Sequence, residues 1–254
     1  MHIARFTTGD DPRFGVVEGE QIAVVTGDPL YVPLAPTGER VALDEVRLLA
    51  PVIPRSKVVG VGRNYADHAT ELGHELPTKP LLFLKPNTSV VGPDDPIVLP
   101  PGSEEVHYEG ELAVVIGRIC KSVPRARVSE VVLGYTVAND VTARDWQRSD
   151  DQWARAKGFD SSCPLGPWIT TDLDTSSLRL TTRLDGQVVQ DGSTSDLVFD
   201  VPALVEYVSA AFTLLPGDVI LTGTPAGVGP ITSGQRVEVE IEGIGALSNP
   251  VVAR

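Results

Sequence analysis

The stretch His107-Tyr108-Glu109-Gly110-Glu111-Leu112-Ala113-Val114-Val115-Ile116-Gly117 puts two carboxylates at the mouth of an apolar run rich in β-branched residues. That composition is the mark of a strand. Successive side chains of a strand point to opposite faces, so Glu109 and Glu111 share one face about 7 Å apart along the chain. Burial and mutual repulsion both disfavour two charges so placed. The pair must be protonated, hydrated or bridged by a cation. Oxygen ligands suit a hard divalent ion. Taken alone, the pattern fits a solvated edge strand with both glutamates in water as well.

A second stretch, Leu133-Gly134-Tyr135-Thr136-Val137-Ala138-Asn139-Asp140, is an apolar strand ending in a third carboxylate, Asp140. Three carboxylates, with water completing the shell, suit Mg²⁺ or Mn²⁺ and leave positions for a chelating substrate. No Cys/His cluster suggests zinc. Cys120 and Cys163 form no disulfide framework and are expected as reduced core residues.

The chain of 254 residues is 42% hydrophobic and 22% charged, values of a globular protein able to bury a sizeable core. Its net charge of −13 argues against nucleic acid or an anionic membrane as partner, since either needs a basic patch. No apolar run approaches the ~20 residues that span a bilayer, and Met1 to Phe6 show no signal-peptide pattern. Cytoplasm is the expected compartment.

Residues 1–55 read as a small β-rich unit with no catalytic chemistry: short strands near residues 3–6, 14–17 and 21–25 lie between Gly, Asp and Pro turns. The Pro-bearing stretch 49–54 marks the crossing into a main domain over 56–254. There Lys57 to Gly62 reads as a strand ending in glycines, but Tyr65 stands where a dinucleotide fingerprint needs glycine. A short helix follows, with Asn64 as N-cap and Gly73 as its stop. His68 and Glu71 are three residues apart on that helix, close enough for the carboxylate to raise the basicity of the imidazole. A surface His/Glu pair is the plain alternative. The polar run from Glu71 to Pro80 suits a lid.

Leu81 to Leu84 read as a buried strand. Lys157, beside Gly158 among small residues and prolines, suits a lysine held near an anion, or else a solvated one. Asp185-Gly186 signals a hairpin, and Val201 to Phe212, opened by Asp200 and Pro202, is the best helix of the chain. The glycine-rich loop 222–230 lacks the Lys-Ser/Thr ending of a phosphate loop, although its backbone donors and Thr224 can hold a carboxylate.

Six motifs in this order resemble the fumarylacetoacetate hydrolase family. They are Gly62-Arg63-Asn64-Tyr65-x-x-His68-x-x-Glu71, Phe83-Leu84-Lys85-Pro86, Glu109-x-Glu111, Asn139-Asp140-Val141-Thr142-Ala143-Arg144-Asp145, Lys157-Gly158-Phe159-Asp160, and Thr222-Gly223-Thr224-Pro225-x-Gly227-Val228-Gly229-Pro230. The resemblance implies a mostly β, α+β fold: a mixed, mostly antiparallel β-roll with short helices, preceded by the small N-terminal unit. It also implies a homodimer and a Mg²⁺ or Mn²⁺ cofactor. Residue by residue, Glu109, Glu111 and Asp140 match the metal ligands, His68 and Glu71 the catalytic dyad on a lid helix, and Lys157 the active-site lysine. Arg63, Gln147 and Thr224 match substrate contacts.

The implied reaction is metal-dependent cleavage of a C–C bond in 2,4-dioxo acids: acylpyruvate or fumarylpyruvate hydrolysis, or oxaloacetate decarboxylation. The alternative is isomerisation of a 2-hydroxyhepta-2,4-diene-1,7-dioate. The residues fit this chemistry independently. A 2-oxo acid leaves an enolate that a cation and Lys157 stabilise, and His68 with Glu71 can activate water. A non-catalytic metal- or sugar-binding β-protein would have no use for the dyad.

Overall fold

A computed structural model describes residues 1–66 and 76–253. Short runs rich in β-branched residues, broken by Gly, Pro and Asp turns, make most elements of the described residues strands. The largest sheet runs in the order Ala35–Ala42, Gln21–Thr26, Arg13–Glu18, His2–Thr7, Cys163–Thr170, Val132–Asn139, Gly110–Ile116, Val219–Leu221, Val58–Gly62 and Leu81–Lys85. Neighbours along this path are antiparallel, except that Val219–Leu221 and Val58–Gly62 are parallel. The N-terminal strands therefore join the strands that carry the carboxylates in one sheet.

A five-stranded sheet, in the order Gln187–Ser193, Arg179–Leu184, Arg236–Ile241, Gly245–Ala253 and Ile97–Leu99, packs against the first. Its hairpin turns through Asp185 and Gly186, both at positive φ (50° and 82°), as a two-residue turn matching strand twist requires. The Val201–Ala211 helix closes the core between the sheets. Asp200 caps it by accepting from Ala203 N at 3.0 Å, and Val201, Leu204, Val205 and Val208 face inward.

The Gly110–Ile116 strand lies inside the large sheet, hydrogen-bonded on both sides and buried on both faces. Leu112, Val114 and Ile116 pack into one cluster with Val137, Val239 and Leu204, while Ala113 and Val115 pack into another with Ile3, Leu165 and Ile169. Each large aliphatic side chain so buried contributes roughly 1.5–3 kcal/mol. A solvated edge is ruled out for the two glutamates.

One expectation is corrected. Leu81–Lys85 is a strand but not a buried one: it ends the sheet, and Leu81 and Leu84 are 37% and 46% exposed. A short apolar run does not reveal whether a second strand will cover it. Cys163 is buried and Cys120 half-buried, and both are free thiols. No helix among the described residues is long and apolar enough to cross a membrane.

Candidate active site

Three strand ends deliver the carboxylates to one point. Glu109 occupies the break between Val106–Tyr108 and Gly110–Ile116, and Asp140 follows Val132–Asn139 directly. The two strand ends are tied together: Asp140 N donates to Glu109 O (2.8 Å), and Glu109 N donates to Asn139 Oδ1 (2.9 Å). Glu109, Glu111 and Asp140 are all buried, and each offers an oxygen within 4.8 Å of the others.

Buried cations answer two of these charges. Lys157 sits in the short Ala154–Gly158 helix, and its Nζ donates to Glu109 Oε2 (2.7 Å) and Asp140 Oδ2 (2.6 Å). The ammonium also stands over the Phe83 ring, 5.0 Å from its centre. Burial alone would push the Lys157 pKa down, but Asp140 and Glu109 outweigh it and hold the pKa above the ordinary lysine value. Lys85 Nζ donates to Asp140 Oδ1 at 2.5 Å, and Arg144 Nη2 lies 2.5 Å from Glu109 Oε1.

Glu111 has no cationic partner within ion-pair distance among the described residues. Its Oε2 accepts from Gly223 N (2.6 Å), so the glycine-rich loop does hold a carboxylate, one of the protein's own. Desolvation, then Asp140 and Glu109, raise the Glu111 pKa well above the ordinary range. Glu111 alone of the three carboxylates lacks a cation of its own among the described residues, and it points an oxygen at the same spot as Glu109 and Asp140. The residues therefore fit a divalent cation. Octahedral oxygens about 2.1 Å from Mg²⁺ lie about 3.0 Å apart when adjacent and about 4.2 Å apart when opposite, so this cluster needs little adjustment.

The carboxylates and Lys157 open into a cavity of about 240 Å³. Arg63, Gln147 and Thr224, expected as substrate contacts, line the same cavity, together with Phe83 and Trp153. Arg63 takes a left-handed φ of 59°, rare for a residue with a side chain. Gln147 Oε1 accepts from Arg144 (2.9 Å). Asn64, read as an N-cap, instead uses its amide to tie Phe199 and Thr222 together, donating to Phe199 O and Thr222 O and accepting from Phe199 N. His68, Glu71 and residues 67–75 of the expected helix and lid lie outside the described residues.

Three further residues belong to this site and were not singled out from the sequence: Lys85, Arg144 and Gln190. The first two lie within motifs quoted above. Gln190 lies in none of them.

A family model described as "Fumarylacetoacetate (FAA) hydrolase C-terminal" matches residues 57–252. The chain belongs to the fumarylacetoacetate hydrolase family. A second model, "Rv2993c-like, N-terminal", matches residues 1–51. Among solved structures, a 2-hydroxyhepta-2,4-diene-1,7-dioate isomerase from Mycobacterium marinum is 49% identical, with a TM-score of 0.93 over 100% of this chain and 99% of its own. A maleylpyruvate hydrolase from Sphingobium sp. SYK-6, in complex with manganese(II) and pyruvate, is 36% identical, with a TM-score of 0.81 over 100% and 99%. The mitochondrial oxaloacetate tautomerase FAHD2A of Homo sapiens is 46% identical over 82% of this chain and 70% of its own length. The mostly β fold of the family is thus shared by relatives that include a hydrolase, an isomerase and a tautomerase.

Proposed function

We propose that the protein is a Mg²⁺- or Mn²⁺-dependent enzyme that cleaves a C–C bond in 2,4-dioxo acids, hydrolysing an acylpyruvate or fumarylpyruvate and decarboxylating oxaloacetate through the same enolate. The observation that carries this reading is the convergence of Glu109, Glu111, Asp140 and Lys157 at the floor of one cavity. A divalent cation held by the three carboxylates supplies Lewis-acid polarisation of a 2-oxo acid.

The remaining roles fall to the chain. Arg63, Gln147 and Thr224 orient the substrate from the cavity wall. His68, backed by Glu71, takes a proton from the water that attacks the C4 carbonyl. The C3–C4 bond then breaks, its electrons pass to C3 and the 2-oxo oxygen, and the Lys157 ammonium donates to that oxygen as charge develops. Protonation at C3 releases pyruvate, and the C4 fragment leaves as an acid. When C4 is a carboxylate no water is needed, and carbon dioxide leaves.

A second reading, a proton shift without bond cleavage in a dienedioate or in oxaloacetate, is favoured by the isomerase and tautomerase among the relatives. A panel of acetylpyruvate, fumarylpyruvate, oxaloacetate and 2-hydroxyhepta-2,4-diene-1,7-dioate, assayed with Mn²⁺ and with EDTA, tests both. Metal-dependent pyruvate release from an acylpyruvate is expected. Turnover of the dienedioate or oxaloacetate by tautomerisation alone would establish the second reading. We also propose a cytoplasmic homodimer, the assembly state being open to sedimentation analysis.

A further inference from the structure

Gln190 lies in the Gln187–Ser193 strand of the second sheet, 1% exposed, and three of the four hydrogen bonds of its amide go to the two segments that carry site residues, 109–111 and 223–225. Its Oε1 accepts from Gly110 N (3.0 Å), the peptide between Glu109 and Glu111, and from Thr182 Oγ1 (2.7 Å). Its Nε2 donates to Pro225 O (2.9 Å) and to Thr224 Oγ1 (2.8 Å). The approach is close enough to dictate glycines. A Cβ on Gly110 would stand 2.3 Å from Thr182 Oγ1, and one on Gly192 would stand 2.6 Å from Pro225 Cβ.

Two of these partners cannot exchange roles. A backbone N–H only donates and a proline carbonyl only accepts, so the amide is locked with its NH₂ toward Thr224. The Thr224 oxygen therefore accepts a hydrogen bond from Gln190, and its own hydroxyl hydrogen must point elsewhere. No hydrogen bond donated by that hydroxyl is found among the described residues, and Thr224 lines the cavity.

We propose that Gln190 is a positioning residue that orients the Thr224 hydroxyl as a donor to an anionic oxygen of the bound substrate. Without Gln190 the hydroxyl is free to turn its hydrogen back toward the protein. With it, the hydroxyl hydrogen is turned away from Gln190 and offered in the cavity to a carboxylate or enolate oxygen. The proposal rests on the reading of the site as one for 2-oxo acids.

The test uses oxalate, a planar dianion resembling the enolate of a 2-oxo acid, with the Mn²⁺-loaded full-length protein and calorimetry. Thr224→Val and Gln190→Met should each weaken oxalate by about ten-fold, near the lower end for a hydrogen bond to a charged group. The double variant should be no weaker than Thr224→Val alone. Mn²⁺ affinity should change less than about three-fold in Gln190→Met, because Asn139 and the neighbouring strand still hold the Glu109–Glu111 register. Should Gln190→Met fail to fold, Gln190→Glu keeps the shape but offers Thr224 an acceptor, and should weaken oxalate at least as much.

Multiplicative losses in the double variant, or a parallel loss of Mn²⁺ affinity, would overturn the role and leave Gln190 a structural support. So would unchanged oxalate binding in either Gln190 variant. Failure of the wild-type protein to bind oxalate with Mn²⁺ bound would overturn the 2-oxo acid reading itself.

Discussion

Replacing Lys85 by Met tests the electrostatic construction of the site. Lys85 is 1% exposed and its ammonium meets Asp140 Oδ1 at 2.5 Å, so no solvent screens the pair. Met roughly keeps the volume of the side chain and removes the charge, leaving Asp140 with Lys157 alone among its buried cations. Breaking one side of a buried ion pair costs about 3–5 kcal/mol. At roughly 2–4 °C per kcal/mol for a chain of this size, the metal-free protein should melt about 6–20 °C lower. A divalent cation on the same carboxylate restores compensating charge, so saturating Mn²⁺ should recover part of the loss. Thermal melts of wild type and variant, in EDTA and in Mn²⁺, measure both effects. A shift under about 2 °C in EDTA, or an equal deficit with and without metal, would show that Asp140 does not depend on Lys85 for its charge balance.

Glu111→Gln keeps an acceptor for Gly223 N and mimics the protonated acid, so the fold should persist. Metal affinity should nevertheless fall more than about a hundred-fold, beyond the 10–100-fold typical of partners outside the coordination shell, as read by calorimetry. Because the folded protein raises the Glu111 pKa, the stability gained from its proton is complete below the ordinary glutamate value of 4.5 and is lost as pH rises through the raised one. Metal uptake must displace that proton. Affinity should therefore increase with pH over the same window, with up to about one proton released per ion, measured in buffers of different ionisation enthalpy. His68→Ala should lower acylpyruvate hydrolysis by roughly 10²–10⁴ and spare oxaloacetate decarboxylation, whereas Lys157→Ala should damage both. Equal loss of both activities in His68→Ala would remove it from water activation.

The strands that carry the site were legible because their residues leave little choice. Val114, Val115 and Ile116 favour a pleated, buried setting, and the spacing of Glu109 and Glu111 then follows from the pleat. Ala35–Ala42 was not legible. Pro36, Gly38 and an exposed, polar sequence disguise it, and it is tolerated as a strand only because it lies at the sheet edge. The partners of the carboxylates were harder still. Nothing local to Lys85 points to Asp140, which stands 55 residues away, and Gln190 is 80 residues from Gly110. Local pattern carries the period of an element, whereas such pairings are decided by which sheet faces which. Arg144 was within reach, four residues past Asp140 in a quoted motif.

The joining of the N-terminal strands to the main sheet has a consequence for how the protein can be cut. His2 and Ile3 pair with Thr170 and Ile169, covering one margin of the Cys163–Thr170 strand. A chain begun at residue 56 would leave those backbone groups unpaired and bare Leu165 and Ile169 where Ile3 now packs. Open margins of this kind recruit other chains. The truncated chain would keep every residue proposed for its chemistry and gain an uncovered sheet margin open to non-native pairing, so the first strand works as a seal as much as an appendage.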